Sequence, residues 1–417
     1  MYRKVVLENG LRVVTERIPT LKSVTIGIWV NVGSRDESRG EEGVSHFLEH
    51  MFFKGTRRRT GIQISREIDA LGGEMNAFTS RETTTFYVKV LDQQLKPALA
   101  LLSDLFHHSR FDAREVEKEK EVVLEEIRMV QDDPEDLVQE LNTEQTLPGH
   151  PLGRSILGQS DTIRHVRRER LITYIRDHYH PLQTVIAVAG NVNVPEVRAV
   201  LEASFGSVHR AEGPRLHRWP PEVSGGFRLQ RKPLEQAHLC LGLNGIPLGH
   251  KDRYAAHALN TVLGGSVSSR LFQEIREKRG LAYSIYSYLS CFSDSGTVSI
   301  YAATRPREAP RVIDLARREL RRLRTGGVDR KELDRAKNQM KGSLMLSLES
   351  SQSRMTKLAK DELYQGRHTS LTEVLAAIDS VSCDQVLRLS RELFDPDRLS
   401  VTVLGPVSPR AFQSILN

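Results

Sequence analysis

The chain has few cysteines: Cys240, Cys291 and Cys383 are the only three in 417 residues. An odd number set far apart excludes a disulfide framework and a thiolate metal site, fits a reducing compartment, and leaves all three as structural residues. Long apolar runs are missing as well. No stretch approaches the roughly 18 consecutive apolar residues of a membrane span, and Met1 to Gly10 (MYRKVVLENG) contains no apolar signal core. A cytoplasmic protein with no membrane attachment is the expectation. Nor does one sign of charge dominate, since 60 Lys and Arg against 53 Asp and Glu leave a formal net charge of +7. The arginines concentrate in Arg167–Arg170 and Arg317–Arg324, where they alternate with Leu and Ile at helical spacing and no aromatic-rich motif accompanies them. That pattern describes solvated faces of amphipathic helices, and no nucleic-acid partner is expected. With 39% hydrophobic and 27% charged residues the composition is that of a globular protein, and the length predicts two domains of about 200 residues each.

What the chain does have is the stretch Gly43 to Thr56 (GVSHFLEHMFFKGT), which sets two histidines and a carboxylate within five residues as H-x-x-E-H. On a helix, residues three and four apart share a face. His46, Glu49 and His50 would therefore point one way while Phe47, Leu48 and Met51 turn toward a core. Two neutral imidazoles favour zinc among divalent metals, and the carboxylate between them is placed to act as a general base on a water. A third ligand is required. The acidic run Glu115 to Ile127 reads as a helix whose buried stripe is Val116, Val123 and Ile127. Glu119 and Glu126, seven apart, share another face, and Glu126 is the best candidate ligand. Glu117 and Glu121 read as solvated partners of Lys118 and Lys120.

Taken in order, residues 4–16 predict a hairpin turning at Asn9-Gly10, and 24–32 a strand. Beyond the metal helix the pattern predicts a helix over 61–71, strands over 74–80 and 83–90, helices over 97–108, 112–131, 135–145 and 167–178, and a strand over 184–189. The order then repeats about 210 residues later. Strands are expected at 236–244, 283–291, 296–303 and 398–404, with helices at 253–264 and 268–278 and a run of helices between 310 and 391. This is the signature of an internally duplicated α+β protein. Each of its two similar domains would be a mainly antiparallel sheet with helices packed on one side, together enclosing a central cavity. The boundaries are set at 1–212 for the metal-binding domain, 213–225 for a linker containing Pro214, Pro220, Pro221 and Gly225, and 226–417 for its copy. In the copy, the helix matching the metal helix, Asp252 to Asn260 (DRYAAHALN), has one histidine and no neighbouring carboxylate. The second domain should bind no metal, and His257 is expected to pack in the core.

These motifs resemble those of the pitrilysin-type inverzincin metallopeptidases, specifically the short-subunit branch that includes the mitochondrial processing peptidase β subunit and its bacterial relatives. The resemblance covers nearly the whole chain. It rests on H-x-x-E-H, Asn76 to Glu82 (NAFTSRE), His150-Pro151-Leu152-Gly153, Arg276 and Tyr283. In that branch the third ligand follows the second histidine by 76 residues, which falls on Glu126, and an outer carboxylate seven residues earlier falls on Glu119.

The resemblance implies a zinc-dependent endopeptidase that hydrolyses peptides or unfolded presequence-like segments inside a two-domain chamber. His46, His50 and Glu126 would hold one Zn²⁺ per chain, with Glu49 as the base and Glu119 tuning the ligands from behind. Arg276 and Tyr283 would hold the substrate and stabilise the oxyanion. Asn76 and Ala77, if their strand is a sheet edge facing the cavity, would accept an extended peptide as an added strand; otherwise the strand is an ordinary paired one. Asp136 and Glu140, 10 and 14 residues beyond the third ligand, match an acidic pair associated with recognition of an arginine near the cut, with Asp and Glu swapped relative to that pattern. A homodimer is expected, with a heterodimer containing a metal-free homologous subunit as the alternative. Two other classes stay open: a non-catalytic scaffold or partner subunit, which usually lacks the ligands present here, and a basic nucleic-acid-associated protein in which the histidine cluster is incidental.

Overall fold

The computed structural model describes residues 1–206 and 216–413. The last six residues of the first expected domain, 207–212, lie outside the described residues, as do 213–215 of the expected linker and 414–417 of the copy. Six strands form one sheet: β1 (Tyr2–Val6), β2 (Arg12–Arg17), β3 (Ser23–Val30), β4 (Glu74–Thr79), β5 (Thr84–Leu91) and β6 (Thr184–Gly190), in the order β1-β2-β6-β3-β5-β4. Five more form a second: β7 (Gly226–Gln230), β8 (Ala237–Asn244), β9 (Ala282–Cys291), β10 (Gly296–Thr304) and β11 (Ser400–Leu404), in the order β7-β11-β8-β10-β9. Apart from β1, the second order repeats the first strand for strand. In each sheet one pair is parallel, β2 with β6 and β7 with β11, and every other neighbouring pair is antiparallel. The duplication legible in the sequence is thus a duplication of topology.

Local chemistry explains the first strands. The β1–β2 turn puts Gly10 at φ 88°, in the left-handed region open to glycine, and Asn9 Oδ1 accepts from the Leu11 amide at 3.1 Å. The expected hairpin forms there. Every residue of β3 except Ser23 is buried, so the strand reads as a continuous apolar run covered on both faces. On one face Ile26 and Ile28 join Phe47, Leu48, Met51, Leu101 and Val123 in the main core. On the other, Trp29, Val14 and Ala187 pack against Met355, Leu358 and Ala359 of the helix Ser351–Gln365. Gly27 permits that approach, because a Cβ there would lie 2.5 Å from Met355 Sδ.

The second sheet is covered in the same manner. Leu239 and Leu241 face Ala256, Leu259, Val312 and Leu389, while Cys240, Tyr301 and Leu404 on the opposite face receive Val138 of the helix Pro134–Thr146. Asn142 of that helix donates to Cys240 O at 3.0 Å and Thr402 Oγ1 at 3.1 Å.

The two compact units are consequently not the two sequence halves. One comprises Met1–Arg128, Arg154–Arg218 and Leu346–His368, and the other Met129–Gly153, Trp219–Met345 and Thr369–Asn417. A single cut at 213–225 would leave Pro134–Thr146 with the first sheet and Ser351–Gln365 with the second; each instead covers the other. Helical periodicity fixes which face of a helix is buried and says nothing about which sheet receives it. Other differences are local. The helix Val194–Phe205 and strand β7 were not foreseen, and the helix expected over 268–278 is a π-helical turn over Phe272–Glu277. His257, expected in the core, lies on an exposed face of its helix. Among the described residues no helix is long and apolar enough to cross a membrane.

Candidate functional site

The helix Val44–Phe52 carries the H-x-x-E-H motif as its spacing demands. Val44, Phe47, Leu48, Met51 and Phe52 are buried, and His46, Glu49 and His50 occupy the other face. Its start is unusual. The N-cap is Gly43 in the left-handed region at φ 94°, and a Cβ there would meet Leu157 O at 2.5 Å, so the position holds no side chain that could cap the helix. The cap comes from elsewhere: the buried Glu37 carboxylate accepts from the Gly43 amide at 2.8 Å and the Ser45 amide at 2.7 Å. Burial pushes the Glu37 carboxyl up to about 8, opposed by those two donors.

The helix Ala113–Asp132 supplies the carboxylates. Glu119, 3% exposed, places Oε1 2.8 Å from His50 Nδ1 and Oε2 2.6 Å from Lys54 Nζ. Burial would raise its carboxyl, but the hydrogen bonds from His50 and Lys54 hold it below the ordinary range. Burial would lower the His50 ring, but the hydrogen bond to Glu119 and the surrounding carboxylates raise it overall. In the neutral ring, a proton on Nδ1 toward Glu119 leaves the Nε2 lone pair facing away from that carboxylate. His50 Nε2 stands 3.2 Å from His46 Nε2, and Glu126 Oε2 lies 3.5 Å from the first and 3.6 Å from the second. Burial, reinforced by the neighbouring His50, lowers His46 to about 4, so its ring is neutral at pH 7.

Three lone-pair atoms therefore face one another, and Glu126 Oε2 is buried without a hydrogen-bond partner. A cation placed among them would satisfy all three. Ligand atoms about 2.0–2.2 Å from a tetrahedral zinc stand about 3.3–3.6 Å apart, close to the separations observed. Two imidazoles and a carboxylate are also a zinc donor set. Among the described residues His46, His50 and Glu126 are the one group of three that could hold a metal ion.

Glu49 sits beside this group without joining it. Its Oε2 accepts from Thr79 Oγ1 at 2.7 Å, and burial raises its carboxyl against the pull of that hydrogen bond. Thr79 ends β4, the edge strand of its sheet. Asn76 and Ala77 lie on the same strand, with Asn76 exposed and Ala77 buried, and Asn76 Oδ1 accepts from the Ala77 amide at 2.8 Å.

The remaining expected site residues lie in the second unit. The Arg276 guanidinium is 4.6 Å from the Phe272 ring and 5.0 Å from that of Tyr283, which is 80% exposed. Asp136 and Glu140 are on Pro134–Thr146, the helix that covers the second sheet. Burial, with Asp133 and Glu135 adding, pushes Asp136 up. His150 is part of a turn: its Nδ1 accepts from the Leu152 amide at 3.1 Å and its Nε2 lies 3.0 Å from Trp219 O.

Three residues of this site were absent from the sequence reading. Lys54 was findable, being four positions after His50 and just past the end of the helix. Glu37 and Thr79 reach the motif through a loop and a strand, for which helical spacing gives no signal.

Known proteins match this chain along most of its length. Residues 12–160 fit the insulinase family, peptidase family M16, and residues 165–340 the peptidase M16 inactive domain. A Bacillus subtilis protein named uncharacterized zinc protease YmxG is 44% identical over 397 residues, covering 95% of this chain and 97% of that protein. This chain belongs to peptidase family M16. Another M16 relative, an uncharacterized zinc protease of Streptomyces coelicolor, is 41% identical over 98% of this chain and 90% of its own length. The M16 fold is matched by the crystal structure of a peptidase M16 inactive domain from Pseudomonas fluorescens, with TM-score 0.92, 20% identity and 98% of each chain covered. A protease from Helicobacter pylori superposes with TM-score 0.89 at 24% identity over 97% of this chain and 99% of that one. At these identities the two structures speak for the fold alone.

Proposed function

We propose that this M16 chain is a zinc-dependent endopeptidase, and that His46, His50 and Glu126 hold one zinc per chain. One observation carries the reading: three lone-pair atoms converge at 3.2–3.6 Å with a separate carboxylate, Glu49, beside them. When bound, zinc supplies Lewis-acid chemistry, making water a nucleophile at neutral pH and polarising the scissile carbonyl. The chain's own residues do the rest. Glu49, with Oε2 engaged by Thr79, takes the proton of the attacking water at Oε1 and passes it to the leaving amine. Glu119 keeps the His50 proton on Nδ1, and Lys54 keeps Glu119 ionised.

Substrate-facing residues come from both units in this reading. Tyr283 and Arg276 stabilise the oxyanion and hold the peptide. The free edge of β4 at Asn76 and Ala77 takes the peptide as an added strand, which requires the Ala77 amide to exchange Asn76 Oδ1 for a substrate carbonyl. Asp136 and Glu140 favour arginine near the cut, and unfolded presequence-like segments are the substrates. The protein works as a homodimer. A non-catalytic scaffold role is disfavoured because the ligand atoms, the base and the carboxylate behind His50 are all in place. Cleavage of a quenched peptide, abolished by 1,10-phenanthroline and restored by zinc, tests the proposal. A zinc-loaded chain that cleaves no peptide would overturn it.

A further inference from the structure

We infer that Thr79 is a positioning residue for the base, so that the edge strand β4 sets the direction in which Glu49 points. The inference rests on the peptidase reading above and adds a residue to it. Glu49 is on a short helix and has rotatable side-chain bonds, so a carboxylate with no partner would sample several orientations. Its Oε2 is instead fixed by Thr79 Oγ1 at 2.7 Å, while the same hydroxyl lies only 3.5 Å from Ser45 O, at the limit of a hydrogen bond. The hydroxyl is thus committed to the carboxylate.

The placement follows from the sheet. Side chains alternate along a strand, so Thr79 shares a face with Ala77 and Met75, toward the helix Val44–Phe52, while Asn76 and Phe78 face the other way. Phe78 packs edge-on to Trp29 at 5.4 Å on that opposite face. Thr79 is also held by its neighbours in register, pairing with Thr84 of β5, whose hydroxyl donates to Val32 O at 2.9 Å. The Thr79 hydroxyl holds Glu49 Oε2, with the Thr79 backbone amide adding a weaker pull on the same carboxylate, and leaves Oε1 to take up the proton. It also ties the orientation of the base to the strand proposed to receive the substrate.

The test compares the isosteric Thr79→Val, which removes the donor, with Thr79→Ser, which keeps it. Misplacing a catalytic group by about 1 Å can cost on the order of 100-fold. Thr79→Val should lower kcat by that factor with KM within about twofold. Zinc stoichiometry and the visible spectrum of the cobalt-substituted protein should match wild type, showing the ligands undisturbed. Thr79→Ser should restore most of the rate, and a crystal structure of Thr79→Val should show Glu49 turned from its wild-type position. An active wild type with an equally active Thr79→Val would overturn the positioning role alone, as would equal losses in the Val and Ser variants. A zinc-loaded wild type without peptidase activity would overturn the parent reading.

Discussion

The helices Val44–Phe52 and Arg253–Leu263 occupy matching places in two sheets of the same topology, following β3 in one and β8 in the other. Both bury an apolar stripe against their own sheet, Phe47, Leu48 and Met51 in the first and Ala256, Leu259 and Leu263 in the second. They differ in what they carry on the other face. The first presents two imidazoles and a carboxylate, met by Glu119 and Glu126 from a second helix. In the second, His257 is exposed and belongs to no metal-holding group among the described residues, and Asp252 at the helix start pairs with Arg388 at 2.9 Å. The scaffold is therefore independent of the chemistry. Apolar spacing and strand order suffice for the fold, and a handful of polar residues decides which copy can hold a metal.

Substitutions should break this asymmetry in graded steps. The largest effect is expected from His46→Ala, His50→Ala or Glu126→Ala, each of which should lose zinc and peptidase activity together, read by metal analysis and peptide cleavage. Full zinc in Glu126→Ala would mean that the third ligand lies elsewhere. Arg276→Ala and Tyr283→Phe come next. Loss of one positioning or oxyanion contact should lower kcat/KM at least about tenfold and leave zinc unchanged. Smaller again is Glu37→Ala, which removes the remote cap of the metal helix. About 1 kcal/mol of stability should be lost in chemical denaturation, the scale of a helix N-cap. His257→Ala should change neither zinc content nor activity. A fall in zinc in that variant would show that the second copy does bind metal.

Selectivity sharpens the comparison further, because the proposed role of Asp136 and Glu140 would give a task to the unit without the H-x-x-E-H motif. With Asp136→Asn and Glu140→Gln combined, a preference for Arg over Gln beside the scissile bond should largely disappear. Matched peptides with Arg, Lys or Gln at each flanking position would measure it, and indifference in the wild type would remove the idea. Asp and Glu differ by one methylene, so the charge is kept while the fit to a guanidinium changes.

The metal motif was legible because its information is local. Spacings of three and four put His46, Glu49 and His50 on one face whatever the surroundings, and the run around Glu119 and Glu126 has a helical stripe of its own. The repeat likewise made four of the second sheet's five strands legible, β8 to β11, but neither β7 nor the order in which they pair. What escaped depends on distant parts of the chain. The helices Pro134–Thr146 and Ser351–Gln365 have ordinary amphipathic patterns, yet each covers the other half's sheet. Thr79 and Glu37 look like a strand threonine and a loop carboxylate until the sheet and the turn bring them to Glu49 and Gly43. His257 fails in the opposite sense, since a lone histidine on a mostly apolar helix reads as core and here faces outward.

The most direct measurement is zinc content and peptide turnover taken together on wild type and Glu49→Gln. The base lies outside the ligand set, so both proteins should carry close to one zinc per chain. Turnover should fall by at least about 10²–10⁴-fold in the variant, the contribution of a positioned general base. Normal turnover by Glu49→Gln, or two zinc ions per wild-type chain, would contradict the division of roles between Glu49 and the three ligands and between the two copies of the fold.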